Sequence, residues 1–88
     1  MSNYTDILKE CIEVAEDRME TYDDPIISMK IACDILEKTF KMKMSVEQMC
    51  YVLVALKFSR GHKEYNEDNQ KDAMNYLGIA VDARRKGV

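Results

Sequence analysis

The chain has 88 residues, 47% of them apolar and 33% charged, and carries a net charge of −3. It is read as one helical domain over residues 1–88, too apolar for a disordered tail and too acidic for a general binder of nucleic-acid polymers. The apolar run Cys50 to Leu56 is far too short to cross a membrane.

The first element is an acidic helix from about Thr5 to Thr21. Ile7, Leu8, Cys11, Ile12, Ala15 and Met19 recur at helical spacing, and Glu10, Glu13, Glu16, Asp17 and Glu20 fill the other faces. Tyr22-Asp23-Asp24-Pro25 stops it and starts a second helix, with Asp24 as N-cap and Pro25 at the first helical position. That helix continues to about Phe40, with an apolar stripe of Ile27, Ile31, Ala32, Ile35, Leu36 and Phe40. Lys41-Met42-Lys43 is a short link. Ser45 and Gln48 form a capping box at the head of the third helix, with Met44 and Met49 placed as a hydrophobic staple. The third helix runs to about Arg60, where Gly61 offers a left-handed C-cap. From Met49 to Phe58 it is apolar on nearly every side, so it needs neighbours all round. A polar loop, Gly61 to Glu67, leads to a fourth helix beginning at Asp68 or Asn69. Its face holds Ala73, Tyr76, Leu77, Ala80, Val81 and Arg84, and its basic tail suits a helix C-terminus.

The fold class that follows is all-α: a compact bundle of about four helices joined by short links. A domain of this size buries only about 60–65% of its unfolded surface, so its core is marginal alone. The third helix in particular outruns the cover that three small neighbours give. A homo-oligomer with that helix at or near the interface is the expectation, with any deep ligand site lying between subunits. Three widely spaced cysteines, Cys11, Cys33 and Cys50, read as buried free thiols in a reducing cytoplasm rather than a zinc site. The first residues lack the charged and apolar regions of a signal peptide, and the expected location is cytoplasmic.

Several residues bear chemistry. Lys57 and Arg60 share a face of the third helix at the end of its apolar run. Lys57 either snorkels to water or, with the Arg60 fork, makes an anion site. Asp68 and Asp72 cap and charge the fourth helix, pair with those cations, or form half of a magnesium site. Tyr22 closes a helix corner or stacks on a base, and Tyr76 puts its ring in the core with a hydroxyl in need of a partner. The Glu-x-x-Glu spacing of the first helix is similar to that of magnesium-dependent nucleotide pyrophosphohydrolases. Those enzymes need a second acidic pair, and here Glu37 is isolated, so a solvated acidic face is the preferred reading. His62, the one histidine, reads as exposed loop.

Taken in order, Asp17-Arg18, Tyr22-Asp23-Asp24-Pro25, Ser28, Ile31-Ala32, Met44-Ser45, Leu53 to Lys57, Arg60, Asp68-Asn69, Asp72 and Tyr76 resemble a small family of phage-encoded helical domains of unknown function. Its members show Arg-x-x-x-Tyr-Gly-Asp-Pro, then Leu-Lys-x-x-Arg, then Asp-x-x-x-Asp-x-x-x-Tyr. The family's Tyr-Gly is Tyr22-Asp23 here, which puts an acid at a turn position. The resemblance implies a phage or prophage protein and points toward nucleotides. Carried onto this chain, its ligand-binding positions are Arg18, Tyr22, Ser28, Lys57, Arg60, Asn69, Asp72 and Tyr76. No catalytic residue, cofactor or metal ligand is assigned. The leading expectation is non-catalytic binding of a phosphorylated nucleotide-type ligand, as in sequestering a host defence signal. A magnesium-dependent nucleotide phosphohydrolase and a structural or protein-interaction module are the alternatives.

Overall fold

A computed structural model describes residues 3–88 and contains four helices and, among these residues, no strand: α1 (Tyr4–Thr21), α2 (Pro25–Phe40), α3 (Val46–Arg60) and α4 (Glu67–Lys86). Each helix starts on a side-chain cap. Asn3 accepts from the Thr5 and Asp6 amides and is capped in return by Asp6. Asp24 accepts from the Ile26 amide at 2.9 Å, with Pro25 at the first position. Ser45 and Gln48 form the reciprocal box, with Gln48 N–H donating to the Ser45 hydroxyl at 3.1 Å.

Two ends differ from the expectation. Asn66 caps α4 by accepting from the Asp68 amide, so the helix begins at Glu67, slightly before Asp68. Gly61 follows α3 with φ −81, a right-handed conformation, and is not a left-handed cap. The left-handed caps are Lys41 after α2 (φ 57) and Gly87 after α4 (φ 74). α3 needs no left-handed residue because its chain continues through a turn whose amides, at Gly61 and His62, bond back to Phe58 and Ser59.

The main packing is α3 along α4; α1 leans chiefly on α4, and α2 leans chiefly on α3. The buried centre holds Ile26, Cys33, Val46, Cys50, Ala80 and Ala83, with Met29, Met49, Tyr76, Ile79 and Val88 packed around it. These are mostly small side chains. The large ones divide the other way. In α2 the residues that turn inward are Ile26, Met29 and Cys33, while of the expected stripe Ile27, Ile31, Ile35 and Phe40 face out, each more than half exposed, and Ala32 and Leu36 are half-buried. The inward face of α2 is therefore rotated from the one its hydrophobicity suggests. In α1, Cys11 is buried and Leu8, Ile12 and Met19 are exposed; in α4, Ala73, Ala80 and Ala83 are buried and Leu77 and Val81 are exposed. On α3, Val46 and Cys50 are buried, while Tyr51, Val52, Leu56 and Phe58 are exposed, so the surplus of apolar surface expected there is present.

Small residues at the contacts let the helix axes approach closely, and long ones are left outside where no element of the same chain reaches. All three thiols are buried and free. Burial pushes those of Cys33 and Cys50 above the usual thiol range. No described helix is long and apolar enough to cross a membrane.

Candidate functional site

α1 and α2 diverge from the Tyr22–Pro25 corner, and α4 forms the floor between them. At this apex lies a cleft of about 280 Å³ lined by Ala15, Arg18, Met19, Tyr22, Asp23, Pro25, Ser28, Met29, Asn75, Tyr76 and Ile79. The local sequence builds it in steps. Asp24 and Pro25 restart the chain as α2 three residues after α1 ends, so the two helices share one corner. Tyr22 is the C-cap of α1, donating its amide to the Arg18 carbonyl at 2.7 Å, which fixes its ring beside the turn. Ser28 lies in the first turn of α2 and donates to the Pro25 carbonyl. Tyr76 comes from the inner face of α4 and packs against the core.

Four of the sequence-predicted site residues thus meet in one place: Arg18, Tyr22, Ser28 and Tyr76. Tyr22 keeps 71% of its surface exposed, so it is not the packed corner aromatic that one reading of the sequence allowed. Among the described residues the Tyr76 hydroxyl makes no side-chain hydrogen bond, and the half-buried residue lines the cleft.

Asp72 does not line this cleft but holds its cation. Its Oδ2 lies 2.8 Å from Lys57 Nζ, and its Oδ1 lies 3.4 Å from Arg18 Nη2. One carboxylate therefore ties α3, α4 and α1 together. The Lys57 and Asp72 side chains retain only 16% and 19% exposure, against 52% for Arg18. The inner pair is a largely desolvated brace, and Arg18 is its open end. Lys57 and the half-buried Asn69 border a separate shallow depression with His62 and Tyr65 at the far end of α3. Arg60 is exposed and forms no ion pair among the described residues. Lys57 and Arg60 therefore do not make a joint anion site. Lys57 turns toward α4, while Arg60 points to solvent.

Of the α1 acids, Glu10 lines a small pocket with Asp68 and Asp72 of α4, and the cations Arg18 and Lys71 line it too. Glu10 pairs with Lys71 at 2.8 Å, which holds the lysine above its usual range through that hydrogen bond. Among the described residues no three His, Cys, Asp or Glu side chains come close enough to hold a metal ion.

Sequence reasoning missed Asp23, Asn75, Met19 and Met29 as cleft residues. Asp23 was visible as a departure from the Tyr-Gly pattern. Asn75 had a signal too, because it sits beside Tyr76 and three residues after Asp72 on α4.

Residues 6–84 match the DUF6378 family, a domain of unknown function, and the chain belongs to that family. No curated protein and no solved structure matches it.

Proposed function

We propose that this member of the DUF6378 family binds a small nucleotide-type ligand, without chemistry, in the cleft between α1, α2 and α4. The observation that carries the reading is the convergence of Arg18, Tyr22, Ser28 and Tyr76 on one mostly apolar cleft. The Arg18 guanidinium is a planar donor fork suited to phosphate oxygens. Tyr22 offers an exposed ring for stacking on a base. Asn75 supplies both a donor and an acceptor for a base edge, and Asp23 accepts from an exocyclic amine or a sugar hydroxyl.

Size and charge narrow the ligand class. The cleft is at the small end of ligand pockets, which run from about 300 to 1,000 Å³. Arg18 is its one cation and Asp23 its opposing acid. A mononucleotide with a single phosphate fits that balance better than a triphosphate or a dinucleotide. In the phage setting that the sequence motifs suggest, such a protein acts by sequestering a signalling nucleotide. Binding is preferred to magnesium-dependent hydrolysis because both Asp72 oxygens face cations of this chain, and Glu10, the α1 acid that shares a small pocket with Asp68 and Asp72, is itself paired with Lys71.

The test is calorimetry of the folded protein against AMP, GMP, CMP and UMP and their nucleosides. One monophosphate should bind. Arg18→Ala and Tyr22→Ala should each weaken it by about tenfold or more, and Arg60→Ala should leave it unchanged. Absence of heat with the whole set, or a Tyr22→Ala variant that binds as well as wild type, refutes the reading.

A further inference from the structure

The chain exposes 6864 Å² of surface. A compact monomer of 10.2 kDa should expose about 5,300 Å². Its radius of gyration is 14.2 Å, where about 12 Å is usual for this length. The excess surface, roughly 1,500 Å² per chain, exceeds the about 800 Å² that each partner contributes to a standard stable interface and falls in the range of obligate dimers.

The apolar part of that surplus is ordered. On α1, Leu8, Ile12, Ala15 and Met19 form a row at helical spacing; on α2, Ile31 and Ile35 continue from Ser28. Ile12, Met19, Ile31 and Ile35 are all 55–57% exposed. Both rows run out of the same cleft, since Ala15, Met19 and Ser28 are also its walls. α1 and α2 do not pack substantially on each other, so no other described helix is seen to cover the rows. The margins carry both signs: Glu16 and Arg18 lie beside the α1 row, and Asp34 and Lys38 beside the α2 row.

We propose that a second copy of this chain docks into the opening between α1 and α2, with α1 of each copy laid along α2 of the other, and that it roofs the ligand cleft. The arrangement is isologous, so both rows are covered by one two-fold contact. A cover that reaches Ala15, Met19 and Ser28 also closes the mouth of the cleft. The docking stands on the exposed rows and the surplus area; only the sharing of a ligand site rests on the nucleotide-binding reading above. The outer face of α3, with Val52 and Leu56, is a separate surface and is the control.

The experiment is light scattering on size-exclusion fractions of the full chain, combined with maleimide labelling of a Ser28→Cys variant. The native thiols are buried and give a low background. Wild type should run at twice the chain mass or an even multiple of it. Ile12→Glu and Ile31→Glu, each checked for helix content by circular dichroism, should weaken association by roughly a hundredfold or more, because a carboxylate would be buried without a partner. Val52→Glu should leave the α1–α2 contact intact, and Ser28→Cys should label several-fold faster in the Ile12→Glu background than alone. A wild-type monomer at micromolar concentration overturns the proposal without any variant. So does a dimer lost on Val52→Glu but kept in Ile12→Glu and Ile31→Glu, or a labelling rate that dissociation does not change. A dimer that protects Ser28→Cys but binds no monophosphate upholds the docking and refutes the ligand reading.

Discussion

Removing Asp72 should damage the protein more than removing Lys57, although the two are partners. Lys57 Nζ and Asp72 Oδ2 are 2.8 Å apart, and both side chains are more than four-fifths shielded from water. Breaking a fully buried pair by deleting one member costs about 3–5 kcal/mol, because the survivor is left charged and dry. This pair keeps some water access, so about 2–3 kcal/mol is expected for Asp72→Ala. That change strands Lys57 and also releases Arg18, whose more exposed contact adds only about 0.5 kcal/mol. Lys57→Met keeps the aliphatic stem and leaves Asp72 with Arg18 at 3.4 Å, so about 1–2 kcal/mol is expected. For a domain of this length 1 kcal/mol moves Tm by about 4–8 °C. Asp72→Ala should therefore melt roughly 10–20 °C below wild type, and Lys57→Met roughly 5–15 °C below it. The double variant Lys57→Met/Asp72→Leu should cost about 1–2 kcal/mol less than the sum of its single changes. Arg60→Ala, on an exposed and unpaired residue, should fall within about 0.5 kcal/mol of wild type. Thermal melts followed by circular dichroism, at one fixed protomer concentration, measure all of these. Single changes that add to within about 0.5 kcal/mol, or a neutral Lys57→Met, would show that the brace does not hold α3 to α4.

Two further predictions rest on local chemistry. The Tyr51 hydroxyl donates to Glu47 Oε2 at 2.7 Å, and with Arg84 nearby this holds the Glu47 carboxyl below its ordinary 4.5. A lowered carboxyl stabilises the fold fully above its unfolded value, and the contribution fades as pH falls through the folded one. The Tm gap between wild type and Glu47→Gln should therefore be constant from pH 6 to about 5 and shrink below about 4.5; a gap that widens with acid contradicts the contact. At the end of α2, Lys41 holds φ 57, a conformation in which a Cβ is strained, so Lys41→Gly should raise stability by about 0.5–1 kcal/mol in urea unfolding, and a loss would mean the Lys41 side chain makes a contact that offsets the strain.

The order and ends of the helices were legible because caps are local. Asp24-Pro25 and Ser45-x-x-Gln48 are read from adjacent residues, and both act as expected. Facing is not local. Ile27, Ile31 and Ile35 make the more hydrophobic stripe of α2, and transfer energy alone would bury it. Close approach of α2 to α3 instead selects Ile26, Met29 and Cys33, a narrower face beside Val46 and Cys50. A sequence records how apolar each side is, but not how near a neighbour can come, and here the second quantity decides. Left-handed caps failed the same way. Glycine permits that conformation at Gly61 without requiring it, and Lys41 adopts it because the chain must turn there.

The candidate site was half legible for a related reason. Charge and aromatic character picked out Arg18, Tyr22, Ser28, Lys57, Asp72 and Tyr76, and all six are within one connected region of α1, α2, α3 and α4. What the sequence could not separate is the layer each belongs to. Lys57 looks like an anion receptor because a cation ends an apolar helix, but an apolar helix end is also where a cation needs a carboxylate of its own chain. Asp72 meets that need and spends its second oxygen on Arg18. The pull of Lys57 is thereby passed to the one cation that reaches the cleft: with its charge partly held by Asp72, Arg18 keeps a restricted rotamer and loses less freedom when a phosphate arrives. The brace and the cleft then form a single device, and the same Asp72→Ala change that lowers Tm should also weaken monophosphate binding modestly, without any contact between Asp72 and the ligand. Calorimetry on that variant at a temperature well below its melt separates this from unfolding, and an affinity equal to wild type would show that Arg18 needs no support from behind.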